Sequence, residues 1–239
     1  MRNIIYILFF ISLVKPQFSL YDNFKSLFNK AKITNEEIEE YHNKYGDEII
    51  FQMMLVQDNF TKIVKLIESI DEVNDSNFSK IINTDSKYFF INNKNIEIFK
   101  AILSNEQTKL LLKNKKLKIG LTNKTFSAKG DIIEFMFLID NSILDNTDII
   151  NAVATGGDRY THNAGKGIIN IGLSKKGSQK FSRFTAKNIG KRAAILINNE
   201  VIFAPYIQEK ISGGDIQLSG IDDSLEAIYI AHILNGGEW

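Results

Sequence analysis

Side chains able to do chemistry are few in this chain, and they are scattered. There are only three histidines, His42, His162 and His232. They are far apart in sequence, and none has a second ligand at metal-motif spacing. His232 sits in a mostly apolar stretch and reads as a partly buried core histidine. His162 sits among glycines and reads as a solvent-facing loop residue. Cysteine is absent, which excludes thiol catalysis, disulfides, cysteine metal sites and N-terminal lipidation. Lys166 between Gly165 and Gly167, and the pair Gly190-Lys191, look like fragments of a phosphate loop. Neither has a glycine five residues before the Gly-Lys pair, and neither has Ser or Thr after the lysine. No nucleophile, histidine and acid are marked by any motif. The expectation is a protein without metal, cofactor or catalytic site.

One charged pattern has a helical period. Lys176, Lys180, Arg183 and Lys187 are spaced 4, 3 and 4 residues apart, which puts them on one helix face. Phe181 and Phe184 lie one position over, so they can face a core. The stripe is either a solvated face or a surface for anionic lipid headgroups, an acidic partner or an acidic part of the same chain. Such a part exists, because residues 35–75 hold 11 acidic and 3 basic side chains. Residues 107–130 hold 7 basic and no acidic ones, and residues 159–199 hold 9 basic and none acidic. The formal net charge is nevertheless +1. A near-neutral chain does not point to nucleic acid.

The elements that must position these residues can be read along the chain of 239 residues, of which 44% are hydrophobic and 24% charged. Arg2 precedes an apolar run, Ile4–Val14, that ends at Lys15-Pro16. The run is too short to span a bilayer and has the size of a signal-peptide core, so residues 1–20 read as a signal peptide cut near Ser19. An uncleaved short anchor is the alternative. Residues 21–115 read as a helical region. Ile49, Met53, Val56, Phe60, Ile63, Ile67 and Ile70 suggest one apolar helix face within Asp22–Ile70. Gly46 separates that helix from an acidic helix over Asn35–Tyr45. Residues 71–95 are rich in Asn, Asp and Ser and read as a linker around one short strand near Tyr88–Ile91. Asn95–Asn114 reads as helix again.

Residues 116–239 alternate strand and helix. Leu117–Leu121 and Ile132–Ile139 read as strands, the second apolar on nearly every position and so covered on both faces. Asp148–Ala154 reads as a short helix, Thr155–Gly167 as a loop and Ile168–Leu173 as a strand. A helix follows from Ser174 to Asn188 and stops at Gly190. Ala193–Ile197 and Val201–Ala204 form a hairpin through Asn198-Asn199, because asparagine tolerates positive φ. Pro205 ends the second strand. Gly213-Gly214 makes a bend before a strand at Ile216–Leu218. The last helix spans Asp223–Leu234, with Asp223 and Glu226 at capping-box spacing. The fold class is therefore α+β: a mixed sheet with helices on one face, split β-α-β in character, behind an α-helical N-terminal region.

Several pieces of residues 145–239 occur in a familiar order. They are Phe184-Thr185-Ala186-Lys187-Asn188-Ile189-Gly190-Lys191, the strand pair ending in Ala204-Pro205, the turn Gly213-Gly214, Glu226-Ala227, and Leu234-Asn235-Gly236-Gly237. In this order they resemble the first periplasmic domain, head portion, of the bacterial SecD/SecDF protein-export subunits. The match departs from the family in two places: Asn198-Asn199 stands where Asp-Gly is usual, and no Asp-rich Leu-x-Gly-Gly element follows Leu20. The membrane bundle of the family is not part of the match, so a proton-driven pump is not carried over. The resemblance implies an exported, non-enzymatic, periplasmic or envelope module that binds polypeptides or envelope proteins in connection with the Sec machinery. A structural or inhibitory envelope protein on the same fold is the alternative, and a hydrolase a more distant one. Strand edges at Ile168–Leu173 and Ile216–Leu218 are the expected binding surfaces, since an added strand reads little sequence. The acidic N-terminal helices are candidates to cover that surface.

Overall fold

The structure, a computed structural model, describes residues 34–70, 73, 78–85, 88–125, 131–156, 166–221 and 223–237. The expected signal segment, and His162 with most of its glycine loop, lie outside the described residues. The helices are α1 (Asn35–Tyr45), α2 (Phe60–Glu68), α3 (Phe78–Ile81), α4 (Ile96–Ser104), α5 (Glu106–Asn114), α6 (Lys175–Lys187) and α7 (Ser224–Leu234). The strands are β1 (Phe51–Leu55), β2 (Ile82–Asp85), β3 (Tyr88–Asn92), β4 (Leu117–Thr125), β5 (Ile132–Ile139), β6 (Leu144–Asp145), β7 (Ile149–Gly156), β8 (Gly167–Leu173), β9 (Ala193–Ile197), β10 (Glu200–Phe203) and β11 (Asp215–Ile221). This is an α+β fold, as the sequence predicts. Contacts divide it into two compact units, each drawn from separated stretches of chain. Of the described residues, the first takes those within 34–51, Leu144–Lys187 and 209–237; the second takes those within Gln52–Ile143 and Asn188–Gln208.

In the second unit the strand order is β2-β3-β5-β4-β10-β9-β1. The β10–β4 pair is parallel, while β2–β3, β3–β5, β4–β5 and β10–β9 are antiparallel, so the sheet is mixed. The sheet also rolls, because Val56, just after β1, bridges Leu138 of β5. The Gln57 N–H donates to the Phe137 carbonyl at 2.8 Å. The inside of the roll holds Met54, Val56, Met136, Leu138, Ala194, Leu196 and Val201. Gly120 is required there, since a Cβ on it would lie 2.6 Å from Val201 Cγ2 and 2.8 Å from Leu138 Cδ1. The opposite face of β5 carries Phe135 and Phe137, which pack with Phe60, Ile63 and Ile67 of α2, Phe78, Phe99 and Leu112. Strand β5 is thus apolar on successive positions because both of its faces are covered.

The first unit is an antiparallel sheet in the order β11-β8-β7. Buried residues alternate along β8, giving one apolar face with Ile169, Ile171 and Leu173. Helix α7 packs against β7, β8 and β11. Seven of the eleven residues of α7 are buried and none is fully exposed, which matches its apolar sequence. Helix α1 packs against α7 and starts with a capping box between Thr34 and Glu37.

Four expectations are corrected. Asp22–Ile70 is not helical throughout its described part, since Phe51–Leu55 is strand β1. Met53 and Met54 are both buried there, and a short apolar run satisfies either period. Residues 71–95 are not a linker around one strand: they include α3 and the pair β2–β3, with Phe78 and Ile91 fully buried. Asn95–Asn114 is two helices, because Asn105 leaves the helix and its Oδ1 caps the second by accepting from the Gln107 and Thr108 N–H groups. Asp148–Ala154 is strand β7 after a 3-10 turn at Asn146–Asp148, not a helix. Its buried residues, Ala152 and Ala154, fall at the period of a strand.

Candidate functional site

Helix α6 sets the cationic surface. Lys176, Arg183 and Lys187 are exposed, and Phe181 and Phe184 are buried, as the helical spacing requires. Lys180 departs from the stripe. Its Nζ pairs with Asp148 Oδ2 at 2.7 Å, and the Asp148 side chain is only 2% exposed. Lys180 therefore neutralises a buried carboxylate, and the stripe is broken at its second member. Thr185 ties α6 to a loop: its hydroxyl donates to the Phe181 carbonyl at 3.0 Å and accepts the Ile211 N–H at 2.9 Å.

The Gly213-Gly214 bend closes that loop over α6. The Leu173 N–H donates to the Gly214 carbonyl at 2.6 Å, and a Cβ at Gly214 would meet Ser178 Oγ at 2.5 Å. Between loop and helix lies an open groove of about 460 Å³, with Lys175, Gln179, Ser182, Arg183 and Ser212 along its walls. Beyond Gly214 the chain enters β11, which pairs with β8 alone and is an edge among the described strands. The expected edge at Ile168–Leu173 is corrected: β8 lies between β7 and β11 and has both of its sides paired. On the outer face of this sheet Gln217 Nε2 donates to Asn170 Oδ1 at 2.9 Å.

The remaining predicted residues act on the backbone. Gly190 has φ +81°, and its N–H donates to the Ile207 carbonyl at 2.8 Å. Asn198 and Asn199 have φ +49° and +68°, the two left-handed residues a type I′ hairpin turn needs. The Pro205 carbonyl accepts the Ala193 N–H at 3.0 Å, extending the β9–β10 pairing by one step. His42 lies beside Tyr229, and His232 is half-buried on α7. Neither joins a cluster of metal-ligand residues among the described residues.

Two polar clusters were not foreseen. Arg192 Nη1 pairs with Glu134 Oε1 at 2.6 Å, with both side chains under a tenth exposed. Tyr88 and Tyr206 stand over the guanidinium at 4.7 and 5.9 Å. A single carboxylate inside the apolar run of β5 was the available signal, since a buried charge requires a partner. The second cluster joins α1 to α7. Lys44 and Tyr45 each reach Glu226 Oε1 at 2.5 Å, and the Tyr41 hydroxyl donates to Asp223. Burial, and then the hydrogen bond to Asp223, raise the Tyr41 hydroxyl above its ordinary range. Asp223 caps α7 by accepting the Leu225 N–H at 3.0 Å. Glu226 turns to α1, whereas a closed capping box would have it reach back to the Asp223 backbone.

A rolled mixed sheet and a three-stranded sheet backed by one helix, with a polar groove open at the surface, define an α+β fold with an edge at β11 among its described strands. Residues 123–238 match the family described as SecDF, P1 head subdomain. This stretch is similar to the SecD-type head, and the match starts ahead of the residues that carry the resemblance in sequence. The SecD protein translocase subunit of Acidaminococcus fermentans is 30% identical over 110 residues, covering 46% of this chain and 25% of that protein. The SecD subunit of Petrotoga mobilis is 37% identical over 94 residues, covering 39% of this chain and 18% of that protein. The chain thus spans a quarter or less of the length of these relatives. A solved structure described as "Structure and function of a membrane component SecDF that enhances protein export" covers 86% of this chain and 70% of its own at 18% identity and a TM-score of 0.46. No helix among the described residues is long and apolar enough to cross a membrane.

Proposed function

We propose that this protein is an exported, non-enzymatic module of the cell envelope that binds unfolded polypeptide in connection with protein export, at the edge of β11. The observation that carries the reading is the position of β11: among the described strands it is paired on one side only, within a stretch that matches the SecDF P1 head. An added strand gains main-chain hydrogen bonds whatever its side chains, which suits a binder of many sequences. The polar pair beside it, Asn170 and Gln217, lets a bound chain keep its polar groups satisfied. The exposed cations of α6 would draw in anionic segments or anionic headgroups, and the Sec machinery is the natural partner. Main-chain hydrogen bonds to an added strand need no energy input, so binding at this edge is passive, weak and reversible. Amide exchange of the full chain with and without a reduced, unfolded preprotein tests the reading. Slower exchange confined to residues 215–221 is expected; unchanged exchange along β11 sinks the edge as the surface.

A further inference from the structure

The groove between α6 and the Ser212–Gly214 loop has a chemistry distinct from that of the strand edge beside it. Among the described residues, the side chains of Lys175, Gln179, Ser182 and Arg183 make no hydrogen bond or ion pair, yet all four line one cavity of about 460 Å³. They supply two cations, an amide and a hydroxyl, which are the donors a carboxylate takes up. The walls are held from both sides. Ile211 is bonded to the Thr185 hydroxyl and Gly214 to the Leu173 N–H, and Gly214 rests against Ser178. The loop wall of the groove is therefore tied to α6 through the Thr185 hydroxyl and to β8 through the backbone. Nearby carboxylates do not fill it. Asp148 is engaged by Lys180, and the exposed Asp215 follows at the start of β11.

We infer that this groove binds carboxylate side chains of acidic polypeptide segments, selecting such segments from among the chains that add to β11. The inference rests on the polypeptide-binding reading. Its geometry is continuous with that reading, because Gly214 lines the groove and the next residue begins the edge strand. A chain paired along β11 would run past the groove at the Asp215 end, where an Asp or Glu side chain meets Lys175 or Arg183. Exposed contacts of this kind are individually weak and screened by salt, so the selection is graded.

The test uses the full chain and two labelled 14-residue peptides of equal β propensity, one with four Glu and one with Gln in their place, followed by fluorescence anisotropy at low salt. The expected result is acidic-peptide binding about three- to tenfold tighter than neutral-peptide binding, the range of two exposed cation–carboxylate contacts. The double variant Lys175→Gln/Arg183→Gln should abolish that preference and leave the neutral peptide's affinity unchanged. Equal affinities, or a preference that survives in the double variant, overturn the inference alone. Failure of both peptides to bind overturns it together with the polypeptide reading. Capture by phosphatidylglycerol vesicles that needs Lys175 and Arg183, without any preference between the peptides, overturns it in favour of a lipid headgroup.

Discussion

Glu134 interrupts β5, a strand otherwise filled with apolar residues, and its carboxylate is held there by Arg192 at 2.6 Å. Removing one member of such a pair leaves a desolvated charge, at a cost of about 3–5 kcal/mol. Glu134→Gln is therefore expected to lower unfolding free energy by that order in urea denaturation. A double change to apolar residues of similar volume should recover much of the loss. A loss below about 1 kcal/mol would mean that water reaches the pair. Asp145 gives a second prediction. The Thr147 hydroxyl, above all, holds its carboxyl below the ordinary range, with further help from the Thr147 N–H, Lys180 and Lys176. A depressed acid stabilises the fold above its unfolded pKa of about 4 and loses that contribution as pH falls through the folded value. The wild-type advantage in Tm over Asp145→Asn should therefore be full at pH 7 and shrink below about pH 4. An advantage independent of pH would assign it to packing. At this scale the sequence was partly legible. The spacing of Lys176, Arg183 and Lys187 identified an exposed face, but nothing in the spacing said that Lys180 would turn to the buried Asp148.

The elements were legible where punctuation was strong. Asn198-Asn199 between two apolar runs fixed a hairpin, and both residues have positive φ. Asn199→Val is expected to cost about 1–2 kcal/mol, since a β-branched side chain resists the left-handed region. Asn199→Gly should change stability by only a few tenths. Equal effects of the two substitutions would contradict a type I′ turn. Strands β1 and β7 were misread because short apolar runs fit more than one period. In both, tertiary pairing decided the outcome: β1 closes the roll onto β5 through Val56 and Leu138, and β7 pairs along β8. Gly120 shows how tight that roll is. Gly120→Val places bulk against Val201 and Leu138 and should cost at least the 1–3 kcal/mol typical of overpacking, read from chemical denaturation.

At the scale of the whole molecule, chain order and spatial order part company. The stretch that resembles SecD in sequence contributes to both units, because Asn188–Gln208 joins the second one. Within that unit, β10 pairs with β4, and β9 is the neighbour of β1. Both partners lie outside residues 145–239. That fragment alone is accordingly expected to lack a cooperative unfolding transition, which circular dichroism during a thermal melt would reveal. Local sequence signals could not foresee this, since partners as far apart in sequence as Thr122 and Val201, or β1 and β9, leave no trace in periodicity. It also means that function must be measured on the intact chain. The most direct measurement is an equilibrium titration of a reduced, unfolded preprotein against the full protein, followed by calorimetry in the absence of nucleotide and metal. Saturable binding is predicted with a Kd of about 10–100 μM, the weak end of specific association, and with similar values for preproteins of unrelated sequence but equal acidic content. No heat and no saturation up to several hundred micromolar, or binding that requires added ATP or a divalent metal, would contradict passive polypeptide binding.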